Sequence, residues 1–110
     1  RQLTYEATLD LLARHPDLRG IYCAGGGMEG AIAALREARE PGAVALVVNE
    51  LTPESRAALQ DRHVVLVIST PLATLCRDLV ALMVAAVRQG PSEVTGQHFL
   101  QPDLYLAESV

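Results

Sequence analysis

The sequence of 110 residues contains no Lys, no Trp, one Phe and only two Cys. All nine basic residues are Arg, spread singly along a chain of net charge −4, so no basic stripe is present that could hold nucleic acid. No hydrophobic run approaches the roughly 18 residues of a membrane helix, and no signal peptide opens the chain. We therefore expect one soluble globular domain that does not itself contact nucleic acid or a membrane.

The few cysteine and histidine residues also argue against several kinds of chemistry. Cys23 and Cys76 each lie in an apolar segment, which predicts buried, reduced thiols rather than a disulfide. His15, His63 and His98 share no helix face, so we expect surface or capping roles rather than metal ligands. No Ser or Cys occupies a nucleophile motif beside a His base. The sequence thus predicts no enzyme, no metal site and no cofactor.

Half of the residues are hydrophobic, and their spacing alternates between helical and strand patterns along the chain. Three- and four-residue spacing predicts helices over 4–15, 28–38, 53–61 and 71–89. Short apolar runs predict strands over 21–24, 43–48 and 64–68, with edge strands in the tail 97–106. This order with short connections predicts an α/β fold, a three-layer arrangement around a mainly parallel sheet. The run 43–48 lacks alternation, which predicts a strand buried on both faces.

Glycines or polar residues follow three successive predicted strands. Gly25 and Gly26 follow the first, Asn49 and Glu50 the second, and Ser69 the third. Because the carboxyl ends of parallel strands meet at one edge of a sheet, we expect these residues to line a cleft. A carboxylate accepts two hydroxyl groups at once, so Glu50 is the pivotal residue and a sugar or other polyol the predicted ligand. The alternative is that Asn49 and Glu50 only end a strand and charge a helix N-terminus.

The glycine-rich turn allows a second hypothesis. Gly25, Gly27 and Gly30 match the letters of the dinucleotide fingerprint G-x-G-x-x-G. That fingerprint requires an acidic residue about 20 positions further on, whereas Glu50 stands 25 positions beyond Gly25. A tight turn that permits a close backbone approach explains the same glycines.

The helix starts carry their own signals. Thr52–Pro53 and Thr70–Pro71 each predict an N-cap followed by proline in the first turn. The helix predicted over 71–89 has Cys76 on its main apolar stripe and further apolar residues on its other sides. We therefore expect something beyond its own sheet to cover this helix.

Three segments together resemble a known family: ARHPDLRGIYCAGGGMEGAIAALREA, VALVVNELTPESRAAL and VVLVISTPLATLCRDLVALMVAAVRQG. In order and spacing they are similar to the C-terminal ligand-binding lobe of the LacI/GalR transcription regulators, a lobe that also occurs in periplasmic sugar-binding proteins. In that family two flavodoxin-like lobes clamp a small molecule, usually a sugar. By this resemblance Glu50 takes the place of the family's cleft Asp. The family's Asn-Asp pair falls near Ala24 and Gly25, and its Gln near Ser69, so two polar contacts are lost or shortened.

The resemblance implies that residues 1–110 form an incomplete C-terminal lobe of a flavodoxin-like, type I periplasmic-binding-protein fold. The first lobe and a helix-turn-helix domain would lie upstream, so DNA would be contacted only through that upstream domain. The tail LYLAESV resembles the closing segment of the regulators. A homodimer would form through the second helix and the strand after the third helix. The residues implied there are Met28, Ile32, Leu35, Val65 and Val67.

The resemblance thus implies an effector-binding part of a cytoplasmic LacI-type regulator, with a sugar or sugar derivative as effector. Three alternatives stay open. One is the solute-binding protein of a sugar importer, which has the same fold. A nucleotide-dependent enzyme domain would use Gly25–Gly30 to hold phosphates. A dimerisation module with a degenerate pocket would bind no ligand.

Overall fold

The computed structural model describes residues 1–90 and 98–110, and in these ranges helices and strands alternate in the predicted order. The elements are α1 (Gln2–Arg14), β1 (Gly20–Cys23), α2 (Met28–Ala38), β2 (Ala45–Asn49), α3 (Pro53–Gln60), β3 (Val64–Ser69), α4 (Leu72–Gln89), β4 (Asp103–Tyr105) and a 3-10 turn (Ala107–Ser109). The predicted bounds of α2 are reproduced, and β4 falls within the predicted tail, whose first residue, Gln97, lies outside the described residues.

The four strands found in the described ranges form one sheet in the order β1-β2-β3-β4. β1 pairs with β2 in parallel, with Cys23 opposite Val48, and β2 pairs with β3 in parallel, with Asn49 opposite Ile68. The ladder between β2 and β3 contains one irregularity, next to Leu46. The predicted α/β class with a mainly parallel sheet is confirmed, and the ends of β1, β2 and β3 lie at one edge.

The described chain divides into two compact units, Arg1–Ser69 with Leu104–Val110, and Thr70–Asp103. In the first unit α2 and α3 pack on the sheet and α1 packs on α2. Their core is aliphatic: Leu12, Met28, Ala31, Ile32, Leu35, Val44, Leu46, Val48, Ala58, Leu59, Val64 and Val67. Burying this apolar surface is the main source of the unit's stability.

Burial of β2 differs between its two faces. Leu46 and Val48 are fully buried, whereas Ala45, Val47 and Asn49 are only half-buried. The prediction that this strand is buried on both faces is therefore wrong within the first unit. A Val-rich run without alternation looks the same in sequence whether one face or both are covered.

The burial also corrects the residues assigned to a dimer surface. Met28, Ile32, Leu35 and Val67 are at most 6% exposed and belong to the core of the first unit, whereas Val65 is 39% exposed. Buried side chains are out of reach of a second copy, so only Val65 of the five could contribute. The predicted apolar stripe of α2 is present, but it packs into the core of the first unit and not against a second copy.

The second unit contains α4, and none of its described residues is buried. Its exposed large apolar side chains are Leu72, Leu75, Leu79, Val80, Leu82, Met83, Val84 and Val87. Cys76 is exposed, so its predicted burial is wrong. No helix among the described residues is both long enough and apolar enough to cross a membrane.

Two smaller predictions also fail. The N-cap of α4 is Pro71, without a side-chain cap hydrogen bond, so the cap predicted at Thr70 is wrong. Of the surface or capping roles expected for the histidines, the surface role is wrong for His63, which is 7% exposed. Its backbone N–H donates to Asp61 Oδ1 over 3.1 Å, which fixes the turn between α3 and β3.

Candidate ligand-binding site

Five of the residues named from the sequence lie at or just beyond the carboxyl ends of β1, β2 and β3: Gly25, Gly26, Asn49, Glu50 and Ser69. We call this group the strand-end site. It lies entirely within the first compact unit. Asn49, Glu50 and Ser69 are half-buried, whereas Gly25 and Gly26 are exposed. The site therefore combines a partly enclosed polar part with an open backbone turn.

Glu50 occupies a sharp turn just after β2. Its φ is +72°, in the left-handed region that non-glycine residues rarely adopt. Two hydrogen bonds fasten this turn: the Glu50 N–H donates to the Ile68 carbonyl over 2.8 Å, and Ser55 Oγ donates to the Glu50 carbonyl over 2.9 Å. The neighbouring strand and the following helix thus hold Glu50 in a conformation that costs free energy on its own.

The start of α3 completes this fixation. Thr52 Oγ1 accepts from the Ser55 N–H over 3.1 Å, and Ser55 Oγ accepts from the Thr52 N–H over 2.8 Å, which is a reciprocal capping box. Pro53 occupies the first turn, and Ser55 is fully buried. The predicted N-cap at Thr52 is confirmed. The buried Ser55 links the cap to Glu50, so hydrogen bonds join Glu50 to the start of α3.

A side-chain hydrogen bond joins the ends of β2 and β3. Ser69 Oγ donates to Glu50 Oε2 over 3.2 Å. The two side chains that sequence reasoning placed at separate strand ends are therefore in contact. An ionised carboxylate only accepts hydrogen bonds and has room for several, so the Glu50 carboxylate remains suited to ligand hydroxyl groups while Ser69 orients it.

A second hydrogen bond joins β1 to β2, and sequence reasoning missed it. Tyr22 Oη donates to Asn49 Oδ1 over 3.0 Å. In the parallel register Tyr22 stands opposite Val47, and Asn49 follows two positions later on the same face. The period of two could have suggested this contact, but only once the pairing of β1 with β2 was known.

The glycine turn separates into an open part and a packed part. A Cβ at Gly25 or Gly26 would meet nothing within 4 Å. A Cβ at Gly27 would collide with the Thr4 side chain, and one at Gly30 would stand 2.7 Å from the Tyr5 backbone nitrogen. Gly27 and Gly30 therefore allow α1 to approach α2 closely, which accounts for two of the three fingerprint glycines without a phosphate.

An open groove of about 390 Å³ lies beside this turn, but its lining is mostly apolar: Leu3, Thr4, Ala7, Thr8, Leu11, Cys23, Ala24 and Gly26. Burial and, secondarily, the charge of Glu29 raise the pKa of the Cys23 thiol. A raised pKa keeps this sulfur protonated at neutral pH and therefore weakly nucleophilic. The groove thus offers neither the polar lining a sugar needs nor an activated cysteine.

No protein-family model and no curated protein sequence matches the chain. Solved structures do match it. GanP, a glucose-galactose binding protein from Geobacillus stearothermophilus, superposes with a TM-score of 0.85 at 15% identity, covering 99% of this chain and 39% of its own. A periplasmic ribose ABC transporter protein from Conexibacter woesei gives a TM-score of 0.80 at 21% identity, covering 96% and 36%. The fold is that of the type I periplasmic binding proteins.

A protein assigned as a LacI transcriptional regulator, from Bacteroides fragilis, has the type I periplasmic-binding-protein fold too. It superposes with a TM-score of 0.66 at 17% identity over 90% of this chain and 34% of its own. The chain therefore spans between 34% and 39% of the length of these three proteins. Binding proteins and a regulator thus share this fold, and the fold alone does not distinguish between them.

Proposed function

We propose that this chain binds a sugar or a closely related polyol at the strand-end site. The observation that carries the proposal is the Ser69–Glu50 hydrogen bond, because it holds a carboxylate in a fixed, half-buried position where two strands end. Strand ends of parallel α/β sheets are where such folds bind ligands. The sugar-binding names of two structural neighbours support the same ligand class.

Each residue of the site has a distinct role in this proposal. Glu50 accepts hydrogen bonds from ligand hydroxyl groups, and Ser69 orients the carboxylate and adds a lateral contact. Asn49 supplies an amide beside it, and the exposed backbone at Gly25 and Gly26 allows the ligand a close approach. A second lobe of the same protein closes the site from the opposite side.

We further propose that the chain belongs to a LacI-type regulator in the cytoplasm. The similarity to a protein assigned as a LacI regulator and the regulator-like tail support this assignment. The effector would shift the relative positions of two lobes in a homodimer, and thereby the fit of an upstream DNA-binding domain to its operator. A solute-binding protein of a sugar importer is the second candidate, which the two transport and binding neighbours favour.

The first test is a thermal-shift screen of the full-length protein with D-glucose, D-galactose, D-ribose, ATP and NAD. A ligand at about 100 times its Kd adds roughly 2.7 kcal/mol to the free energy of unfolding, which is readily measured. We expect at least one sugar to stabilise the protein, and we expect Glu50→Ala to remove this effect. The matched control is Glu40→Ala, which deletes an exposed carboxylate outside the strand-end site.

A sugar that stabilises both variants equally would contradict the role of Glu50. Stabilisation by a nucleotide alone would contradict the sugar-binding proposal and favour the enzyme domain. Operator binding that changes with the stabilising sugar supports the regulator, whereas capture of the sugar without any DNA binding supports the importer component.

A further inference from the structure

Tyr22 is an exposed aromatic residue on the half-buried face that β1 and β2 share. It is 56% exposed, whereas Val47, which stands opposite it on β2, and Asn49 on the same face are half-buried. Its hydroxyl group nevertheless makes a defined contact, the 3.0 Å donation to Asn49 Oδ1. A solvent-exposed ring held by a polar contact at the edge of a ligand site calls for a functional explanation.

The contact determines how Asn49 presents its carboxamide. A carboxamide has one acceptor oxygen and one NH₂ group with two donors, on opposite sides of the same planar group. Because the oxygen accepts from Tyr22, the NH₂ group is directed away from Tyr22. Asn49 then acts toward a ligand as a hydrogen-bond donor.

We propose that Tyr22 is a positioning residue of the strand-end site, which fixes the Asn49 carboxamide so that its NH₂ group recognises the oxygen of a sugar hydroxyl group. This inference rests on the proposed sugar-binding function and adds the direction of the hydrogen bond. Tyr22 acts through Asn49 and not through Glu50, which Ser69 contacts.

The assignment gives the consecutive residues Asn49 and Glu50 complementary chemistry. Glu50 accepts, because its carboxylate has no hydrogen to donate when ionised, and Asn49 donates. A hydroxyl group both donates and accepts, so a polyol can bind to both residues, and loss of the hydroxyl group that Asn49 recognises removes the ligand acceptor of its NH₂ group. We therefore expect selectivity against particular deoxy sugars.

The test measures the Kd of the full-length protein by calorimetry for whichever of D-glucose, D-galactose and D-ribose binds, and for its monodeoxy analogues. Tyr22→Phe removes only the hydroxyl group, and we expect a Kd about 3- to 10-fold higher, the usual value of one hydrogen bond. The matched control is Tyr5→Phe, which removes a hydroxyl group bonded to Glu37, away from the strand-end site. We expect no change in Kd for this control.

Two variants of Asn49 separate donation from acceptance. Asn49→Asp keeps an oxygen for Tyr22 but loses the NH₂ group, so we expect it to weaken binding as much as Asn49→Ala. In the Asn49→Ala background, Tyr22→Phe should have no further effect, because the two residues act as a unit. We also expect Tyr22→Phe to lose the wild-type discrimination against one deoxy analogue, which a merely structural role would leave intact.

The outcomes distinguish this inference from the function on which it rests. If no sugar binds, the proposed function fails and the inference with it. If a sugar binds and Glu50→Ala abolishes binding, but Tyr22→Phe behaves like Tyr5→Phe, only the inference is overturned. Full affinity in Asn49→Asp also overturns it, since an acceptor would then serve as well as a donor.

Discussion

At the scale of single residues, two non-glycine residues in the described part of the chain have a positive φ. Glu50 and Arg62 both have a φ of +72°. Arg62 lies in the turn between α3 and β3, where its N–H donates to the Leu59 carbonyl, and no ligand role is proposed for it. Glu50 adopts the same backbone conformation at the strand-end site. Backbone strain lowers stability, and strained residues cluster at functional sites.

We therefore expect glycine to relieve backbone strain at both residues, but to abolish sugar binding only at Glu50. Glu50→Gly and Arg62→Gly should each remove a left-handed strain of about 1–2 kcal/mol, offset in part by the extra freedom that glycine gives the unfolded chain. Glu50→Gly gains less, because the Ser69 hydrogen bond is lost.

Urea unfolding and sugar titration of both variants check this prediction. Arg62→Gly should keep its sugar affinity and be at least as stable as the wild type. Glu50→Gly should bind no sugar, and its free energy of unfolding should be close to that of the wild type. A strongly destabilised Glu50→Gly would show that Glu50 holds the fold together, rather than serving a ligand at the expense of stability.

At the scale of elements, α1 approaches α2 so closely that an added Cβ at the α2 side would clash with α1. A Cβ at Gly30 would meet the backbone of Arg1 and Tyr5, and backbone yields less easily than a flexible side chain. Gly26 stands in open space only four positions earlier and its φ is not positive. The two glycines therefore form a matched pair, one packed and one open.

We expect Gly30→Ala to destabilise the protein and Gly26→Ala to leave its stability nearly unchanged. Overpacking costs about 1–3 kcal/mol, which outweighs the gain of roughly 1 kcal/mol from replacing glycine inside a helix. The midpoint of urea unfolding at constant slope measures the difference. Equal midpoints for the two variants would contradict the role assigned to Gly30.

Among the helices and strands, the sequence predicts features set by neighbouring residues but not features set by tertiary packing. The order of elements, the bounds of α2 and the Thr52 cap follow from local patterns, and the structure confirms them. Whether the apolar stripe of α2 faces a core or a second copy depends on what packs against it, and periodicity cannot report that. The contact between Tyr22 and Asn49 depends on the register between β1 and β2, so the sequence alone could not predict it.

At the scale of the whole molecule, the two compact units differ sharply in how they treat their apolar residues. The first encloses an aliphatic core, whereas α4 exposes large aliphatic side chains along its length. A contiguous apolar surface of this kind is unusual on a soluble monomer and is typical of a surface that packs against another domain or protein. The three structural neighbours are each more than twice as long as this chain.

We expect residues 1–110, produced alone, to bind a hydrophobic dye and to associate in a concentration-dependent manner. Val80→Glu with Val84→Glu should reduce both effects, because these two exposed residues line the apolar surface of α4. Dye fluorescence and sedimentation velocity measure the change. The control is Arg56→Glu with Arg62→Glu, in the first unit. An isolated chain that stays monomeric and dye-free would show that α4 needs no cover.

The irregular pairing of β2 with β3 has a consequence for tolerated changes in chain length. Leu46 is opposite Val64 and Val47 is opposite Leu66, so Val65 is skipped in the ladder between β2 and β3. Beyond it the pairs proceed in step to Asn49 and Ile68, which places Glu50 beside Ser69. Removal of Val65 would leave every later pair between β2 and β3 unchanged, whereas removal of Leu66 or Val67 would move Ser69 one step away from Glu50. We therefore expect natural relatives to vary in length at Val65 and nowhere else in this strand.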